Sequence, residues 1–288
     1  MKIIRKISQM QKLAKELHKK GKSIGFVPTM GALHEGHLSL IRRARRENDV
    51  VVVSIFVNPT QFAGCKLGAR FSPKEDYRRY PRNLKKDAEL CKKVGVDYIF
   101  APSVKEIYPE GYVAYVDVGG PLAETLEGKS RPGHFRAVVT IVAKLFNIVQ
   151  PDRAYFGEKD YQQLLVVKRM VADLNMPVKI VSCPLIRERD GLAMSSRNAY
   201  LNPQERRSAL VLRVLHPTGV SAEAGRVGAR KIINEIQKTI KKEKTVKLDY
   251  VVVRDGKTLE PVKRIKKGCV ILLAAKVGTT RLIDNIKI

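Results

Sequence analysis

Two rhythms of apolar positions alternate along this chain, and together they predict its architecture. Residues 8–20 put Met10, Leu13, Ala14 and Leu17 on one helical face, with Ser8 and Gln11 spaced for a capping box and Gly21 as the stop. A short apolar strand at 24–27 leads into a turn-rich segment through Gly36 and a helix from His37 to about Glu47. Residues 50–57 are a continuous run rich in β-branched side chains, the pattern of a strand buried on both faces. The alternation continues through helix 84–94, strand 98–101, helix 137–149, strand 153–156, helix 161–174 and strand 178–183. Strands separated by helix-length segments predict an α/β fold, a parallel sheet with helices on both faces.

After Pro184 the order of elements changes. A turn-rich segment at 187–202 precedes a helix over 203–215, with Pro203 suited to its first turn. A second helix at 222–242, a strand at 247–254, an Asp255-Gly256 turn and a strand at 269–276 complete a smaller C-terminal α+β domain. The expected division is therefore 1–185 and 186–288.

Composition narrows the class. The 288 residues are 44% hydrophobic, enough to bury a core without crosslinks. Cys65, Cys91, Cys183 and Cys269 lie far apart with no CxxC pair, so the spacing argues against a zinc cluster or disulfide framework and suits a reducing compartment. No signal-peptide pattern or membrane-length apolar run is evident, so no membrane partner is expected. The net charge of +27 would attract nucleic acid or acidic small molecules. It is spread along the whole chain without aromatic-and-basic interleaving. A lysine-rich solvated surface accounts for it, and no specific nucleic-acid partner is expected.

Four segments carry candidate chemistry. In Pro28-Thr29-Met30-Gly31-Ala32-Leu33-His34-Glu35-Gly36-His37, two histidines flank a helix start where small residues leave unpaired backbone N–H groups open to a phosphate. Either histidine alone could merely cap the helix, and the segment is neither a Walker A loop nor a His-Glu-x-x-His metal motif. Asn58-Pro59-Thr60-Gln61-Phe62 follows a buried strand and offers neutral amides suited to hydroxyls. Gly157-Glu158-Lys159-Asp160-Tyr161-Gln162-Gln163 brings a cation and a ribose-competent carboxylate to another strand end. Met194-Ser195-Ser196-Arg197-Asn198 joins two hydroxyls to a guanidinium, an anion clamp. Strand ends of this kind are where open α/β sheets bind ligands.

Together these segments, with the closing Val277-Gly278-Thr279-Thr280-Arg281-Leu282-Ile283-Asp284-Asn285, closely resemble the pantothenate synthetase (pantoate–beta-alanine ligase) family of His-x-Gly-His nucleotidyltransferases. The resemblance implies a Rossmann-like first domain, a second domain closing over the active site, and a cytoplasmic homodimer. It implies that pantoate attacks the α-phosphorus of ATP, and that beta-alanine then captures the pantoyl adenylate, releasing pantothenate and AMP. His34 and His37 would contact the phosphates, and Lys159, Ser195, Ser196 and Arg197 would hold and stabilise them. Gly157 and Asp160 would meet the ribose, with Met194 also at the nucleotide. Met30, Asn58, Gln61 and Gln163 would form the pantoate site, Met30 also reaching the nucleotide. Mg2+ would ride mainly on the phosphates, with Asp87 nearby.

Two departures stand out: an insert at 63–74, and His216-Pro217-Thr218-Gly219, which interrupts a stretch expected to be helical. A related adenylyl- or cytidylyltransferase and a basic RNA-binding protein with an idle nucleotide fold are the competing classes. Gln61 and Gln163 favour the ligase over the first, and the complete four-segment clamp argues against the second.

Overall fold

The computed structural model describes residues 1–62, 75–215 and 228–288. The insert at 63–74 with Cys65, the 216–219 interruption and the start of the helix expected from 222 lie outside the described residues. The chain divides into two compact units, one made of Met1–Glu158 with Gln162–Pro184 and the other of Lys159–Tyr161 with Leu185–Ile288. The principal boundary falls one residue before the expected one, and the second unit also takes in three residues from the Lys159 segment.

The first unit is built on six parallel strands: β1 (Lys2–Ile4), β2 (Ile24–Thr29), β3 (Val50–Ile55), β4 (Tyr98–Phe100), β5 (Arg153–Gly157) and β6 (Lys179–Cys183). Their order across the sheet is β1-β4-β3-β2-β5-β6. With β1 set aside as an added edge strand, this is a doubly wound sheet that reverses direction between β2 and β5. The β-branched run in β3 explains why both faces are covered. Val50 and Val52 join a core with Met10, Phe26, Phe100, Val138 and Phe146. Val51 and Val53 join a second core with Leu38, Ile41, Cys91, Ile99 and Tyr155. Successive strand residues point to opposite faces, so a run apolar at every position needs helices on both.

Helix α1 spans Ile7–Lys19, but its N-cap is Lys6 and no local side chain caps it. The Ser8–Gln11 capping box does not form. Instead the Ile7 N–H donates to Glu106 Oε1 at 2.9 Å, and Lys6 Nζ reaches Glu106 Oε2 at 3.1 Å. A carboxylate from 99 residues away does the cap's work. The helix expected from Ala137 starts earlier, at His134, after Gly133 in the left-handed region at φ 78°, and 13 of its 16 residues are buried.

In the second unit, β7 (Val246–Asp255), β8 (Cys269–Val277) and β9 (Thr280–Lys287) form an antiparallel sheet in that order. The Ala229–Lys241 helix contributes Ile232, Ile236 and Ile240, four residues apart, to the core that this sheet covers. The helix expected over 203–215 is α-helical only through Ala209, then tightens to a 3-10 turn over Leu210–Leu215. Pro203 does occupy its first turn, beneath a capping box between Asn202 and Glu205.

Candidate active site

Three of the four segments leave the carboxyl ends of β2, β3 and β5, which are adjacent in the sheet. The β2 segment emerges at the reversal point, where the chains diverge and leave a crevice. Its backbone is unusual: Gly31 has φ 80° and Ala32 has φ 51°. Asp87, 3% exposed, holds this conformation. Its Oδ2 accepts from the Ala32 N–H at 3.0 Å and its Oδ1 from the Leu33 N–H at 2.8 Å. A Cβ at position 31 would stand 2.9 Å from Asp87 Oδ2 and 3.1 Å from Ile55 Cγ2, so glycine is required for both φ and space. Asp87 was expected near magnesium. In this structure each of its oxygens accepts from a backbone donor, so it anchors the histidine loop.

His34 is the N-cap of α2 (Glu35–Glu47), which thus begins two residues earlier than expected. The His34 N–H donates to His37 Nδ1 at 3.3 Å, which fixes the His37 tautomer with its proton on Nε2 when the ring is neutral. The two ring centroids lie 4.1 Å apart, and both residues are partly exposed. Glu35 is turned onto Arg42, whose hydrogen bond holds its carboxyl below the ordinary range. The helix therefore starts with two imidazoles and a neutralised acid.

After β3, Asn58 departs from expectation. It is 1% exposed, and its amide is fully engaged by the protein. Oδ1 accepts from Thr60 N (3.3 Å), Thr60 Oγ1 (2.9 Å) and Tyr108 OH (3.0 Å). Nδ2 donates to Ala137 O (3.3 Å) and to Gln61 Oε1 (3.1 Å). Asn58 thus has no amide group left for pantoate, and it orients Gln61 with Nε2 as the outward donor. Arg131, which the sequence did not single out, donates to Gln61 O at 3.3 Å and sits 3.0 Å from His134 Nε2.

After β5, Gly157 faces open space, since a Cβ there would meet nothing within 4 Å. Gln162 and Gln163 part company. Gln162, 4% exposed, accepts from Glu127 N and donates to Leu122 O and Thr125 O, which pins the short helices at 121–130. Gln163 is partly exposed, and its amide has no protein partner among the described residues. Met30 is likewise partly exposed.

The second unit carries the cationic set. Lys159, its side chain 22% exposed, lies 3.6 Å from Asp160 Oδ1. Ser195 caps the 3-10 turn Ser196–Tyr200, its Oγ accepting from the Arg197 N–H at 3.2 Å. Met194 is tied by its N–H to Ile186 O at 3.0 Å, and Asn198 Nδ2 binds Ala193 O at 3.1 Å and Glu188 Oε1 at 2.6 Å. Hydroxyls, a guanidinium and an ammonium with few competing acids suit an anion. Arg187, Asp284 and Asn285, which join one another and the Lys159 carbonyl, had no assigned role, although Asp284 and Asn285 end the closing segment of the resemblance.

The family model described as pantoate-beta-alanine ligase matches residues 2–287. The pantothenate synthetase of Moorella thermoacetica is 53% identical over 287 residues, covering 99% of this chain and 98% of that one. The Thermotoga petrophila protein of the same name is 54% identical over 289 residues, covering 99% of each. A crystal structure of the Thermus thermophilus pantothenate synthetase superposes with a TM-score of 0.91 at 45% identity, covering 100% of this chain and 99% of that one. A Francisella tularensis pantoate-beta-alanine ligase, complexed with beta-gamma ATP and beta-alanine, gives a TM-score of 0.80 at 38% identity, covering 100% and 97%.

Proposed function

The chain belongs to the pantoate–beta-alanine ligase family, and from that premise we propose how its residues divide the reaction. The enzyme condenses pantoate with beta-alanine at the expense of ATP, through a pantoyl-adenylate intermediate, yielding pantothenate, AMP and pyrophosphate.

The observation that carries the assignment of roles is the convergence of His34, His37, Gln61 and Gly157 on the carboxyl ends of three adjacent strands. His37 and His34 donate to phosphate oxygens as α2 offers its N-terminus to the same charge. Gln61 donates through Nε2 to pantoate, joined by the open amide of Gln163, with Met30 lining the pocket. Gly157 leaves room for the nucleotide, and Asp160 accepts from the ribose. Lys159, Ser195, Ser196 and Arg197, with Met194 beside them, hold the phosphates and offset the charge that grows on them during transfer.

The first step needs no general base, because a carboxylate near neutral pH is already ionised. Its demand is alignment of two anions, which donors and cations meet. Magnesium enters with ATP and helps neutralise the phosphates. The enzyme acts as a cytoplasmic homodimer in this reading. The free buried thiols of Cys91, Cys183 and Cys269 suit a reducing compartment.

The test is isotope exchange from pyrophosphate into ATP, with pantoate and magnesium present and beta-alanine left out. Pantoate-dependent exchange is expected. Its absence from the folded protein would sink the adenylate route.

A further inference from the structure

Lys159 is held by its main chain. Asn285 Nδ2 donates to Lys159 O at 2.9 Å, and Asn285 is 5% exposed. The Asn285 N–H donates in turn to Asp284 Oδ1 at 2.7 Å. The Asp284 side chain is 1% exposed and receives both arms of Arg187, Nη1 to Oδ2 at 2.7 Å and Nη2 to Oδ1 at 2.9 Å. The same guanidinium donates to Asn285 O (3.2 Å) and Gly191 O (3.1 Å). A two-armed pair of this kind fixes the plane of the carboxylate as well as its position.

Arg187 also organises the other cationic segment. It forms an antiparallel bridge with Ala193, and the Met194 N–H closes on Ile186 O at 3.0 Å. Asn198 Nδ2 donates to Ala193 O at 3.1 Å, so both flanks of Ser195–Arg197 are tied to this hairpin. Arg187 thus connects the main chain of Lys159, through its guanidinium on Asp284 and Asn285, with the segment of the two serines and Arg197, through its backbone bridge to Ala193. Burial pushes the Asp284 carboxyl up, and the Arg187 hydrogen bond pulls it back. Desolvation makes a buried ion pair a weak source of stability, and its best-attested benefit is defined geometry.

We propose that Arg187, Asp284 and Asn285 are positioning residues that set Lys159 in register with Ser195, Ser196 and Arg197 for the phosphate charge. The proposal rests on the role given to Lys159 above. A double-variant cycle tests it, with pantoate-dependent pyrophosphate exchange measured on the folded fraction. Asn285→Ala lowers kcat about tenfold or more while the pantoate KM stays within about twofold. In the Lys159→Ala background, the same change costs less than about twofold, because the group it positions is gone. If Asn285→Ala does not fold, the near-isosteric Asn285→Asp, which removes the donor to Lys159 O, closes the same cycle. Equal losses in both backgrounds, or a loss carried by the pantoate KM, overturn the proposal. A parental rate in Lys159→Ala alone overturns the reading of Lys159 itself, and that single variant reveals it separately.

Discussion

Replacing Asp87 with asparagine separates the two tasks a carboxylate at this place could have. The buried carboxylate accepts from the backbone N–H groups of Ala32 and Leu33, beside two residues with positive φ. Hydrogen bonds to a charged acceptor contribute about 1.5–3 kcal/mol each, and a buried donor left unpaired costs a comparable amount. Asp87→Asn keeps the shape and one carbonyl, but turns an NH2 group toward one backbone N–H. The expected loss is about 2–3 kcal/mol, which for a domain of this size is roughly 5–10 °C in midpoint. The loop carrying His34 and His37 relaxes with it, and a displacement of about 1 Å costs on the order of 10²-fold in rate. Two assays follow: thermal unfolding in metal-free buffer, and pyrophosphate exchange across a magnesium series. A loop anchor gives the lowered midpoint without metal and a rate that excess magnesium does not restore. A parental midpoint together with a rate recovered by magnesium would refute the reasoning and make Asp87 a metal ligand.

Three further outcomes are expected. Gln61→Ala removes a donor that Asn58 holds outward, so it should raise the pantoate KM by about 1–3 kcal/mol, roughly five- to 150-fold, and leave the ATP KM near the parental value; steady-state kinetics with each substrate varied checks it, and the reverse pattern would displace the substrates. Glu106→Ala uncaps α1 from a distance and should cost about 1 kcal/mol in denaturant unfolding, with catalysis unaffected. Asp49 is held down to about 2 from an ordinary 3.8, first by the Ser23 backbone N–H and then by its hydroxyl. A depressed carboxylate stabilises above its unfolded value, so the stability gap between the parent and Asp49→Asn should be full above pH 3.8 and vanish as pH falls through about 2.

Periodicity alone determined most of the elements of the first unit, because a parallel sheet covered on both sides demands β-branched runs such as Val50–Val53. The motif segments were equally legible, since a phosphate site needs small residues, imidazoles and cations at strand ends. Tertiary structure decided what local pattern cannot encode. Sheet order made β3, β2 and β5 neighbours, although more than 95 residues lie between β3 and β5. A carboxylate far along the chain, Glu106, took the capping task that Ser8 was spaced to perform. Asn58 looks like a ligand amide in sequence, but burial turned it inward, as it did Gln162, because an amide excluded from water must find its partners in the protein. Strand β9 was missed for the same reason in reverse. Asp284 and Asn285 interrupt its apolar alternation, and only the arrival of Arg187 and the Lys159 carbonyl lets two such polar residues stay buried.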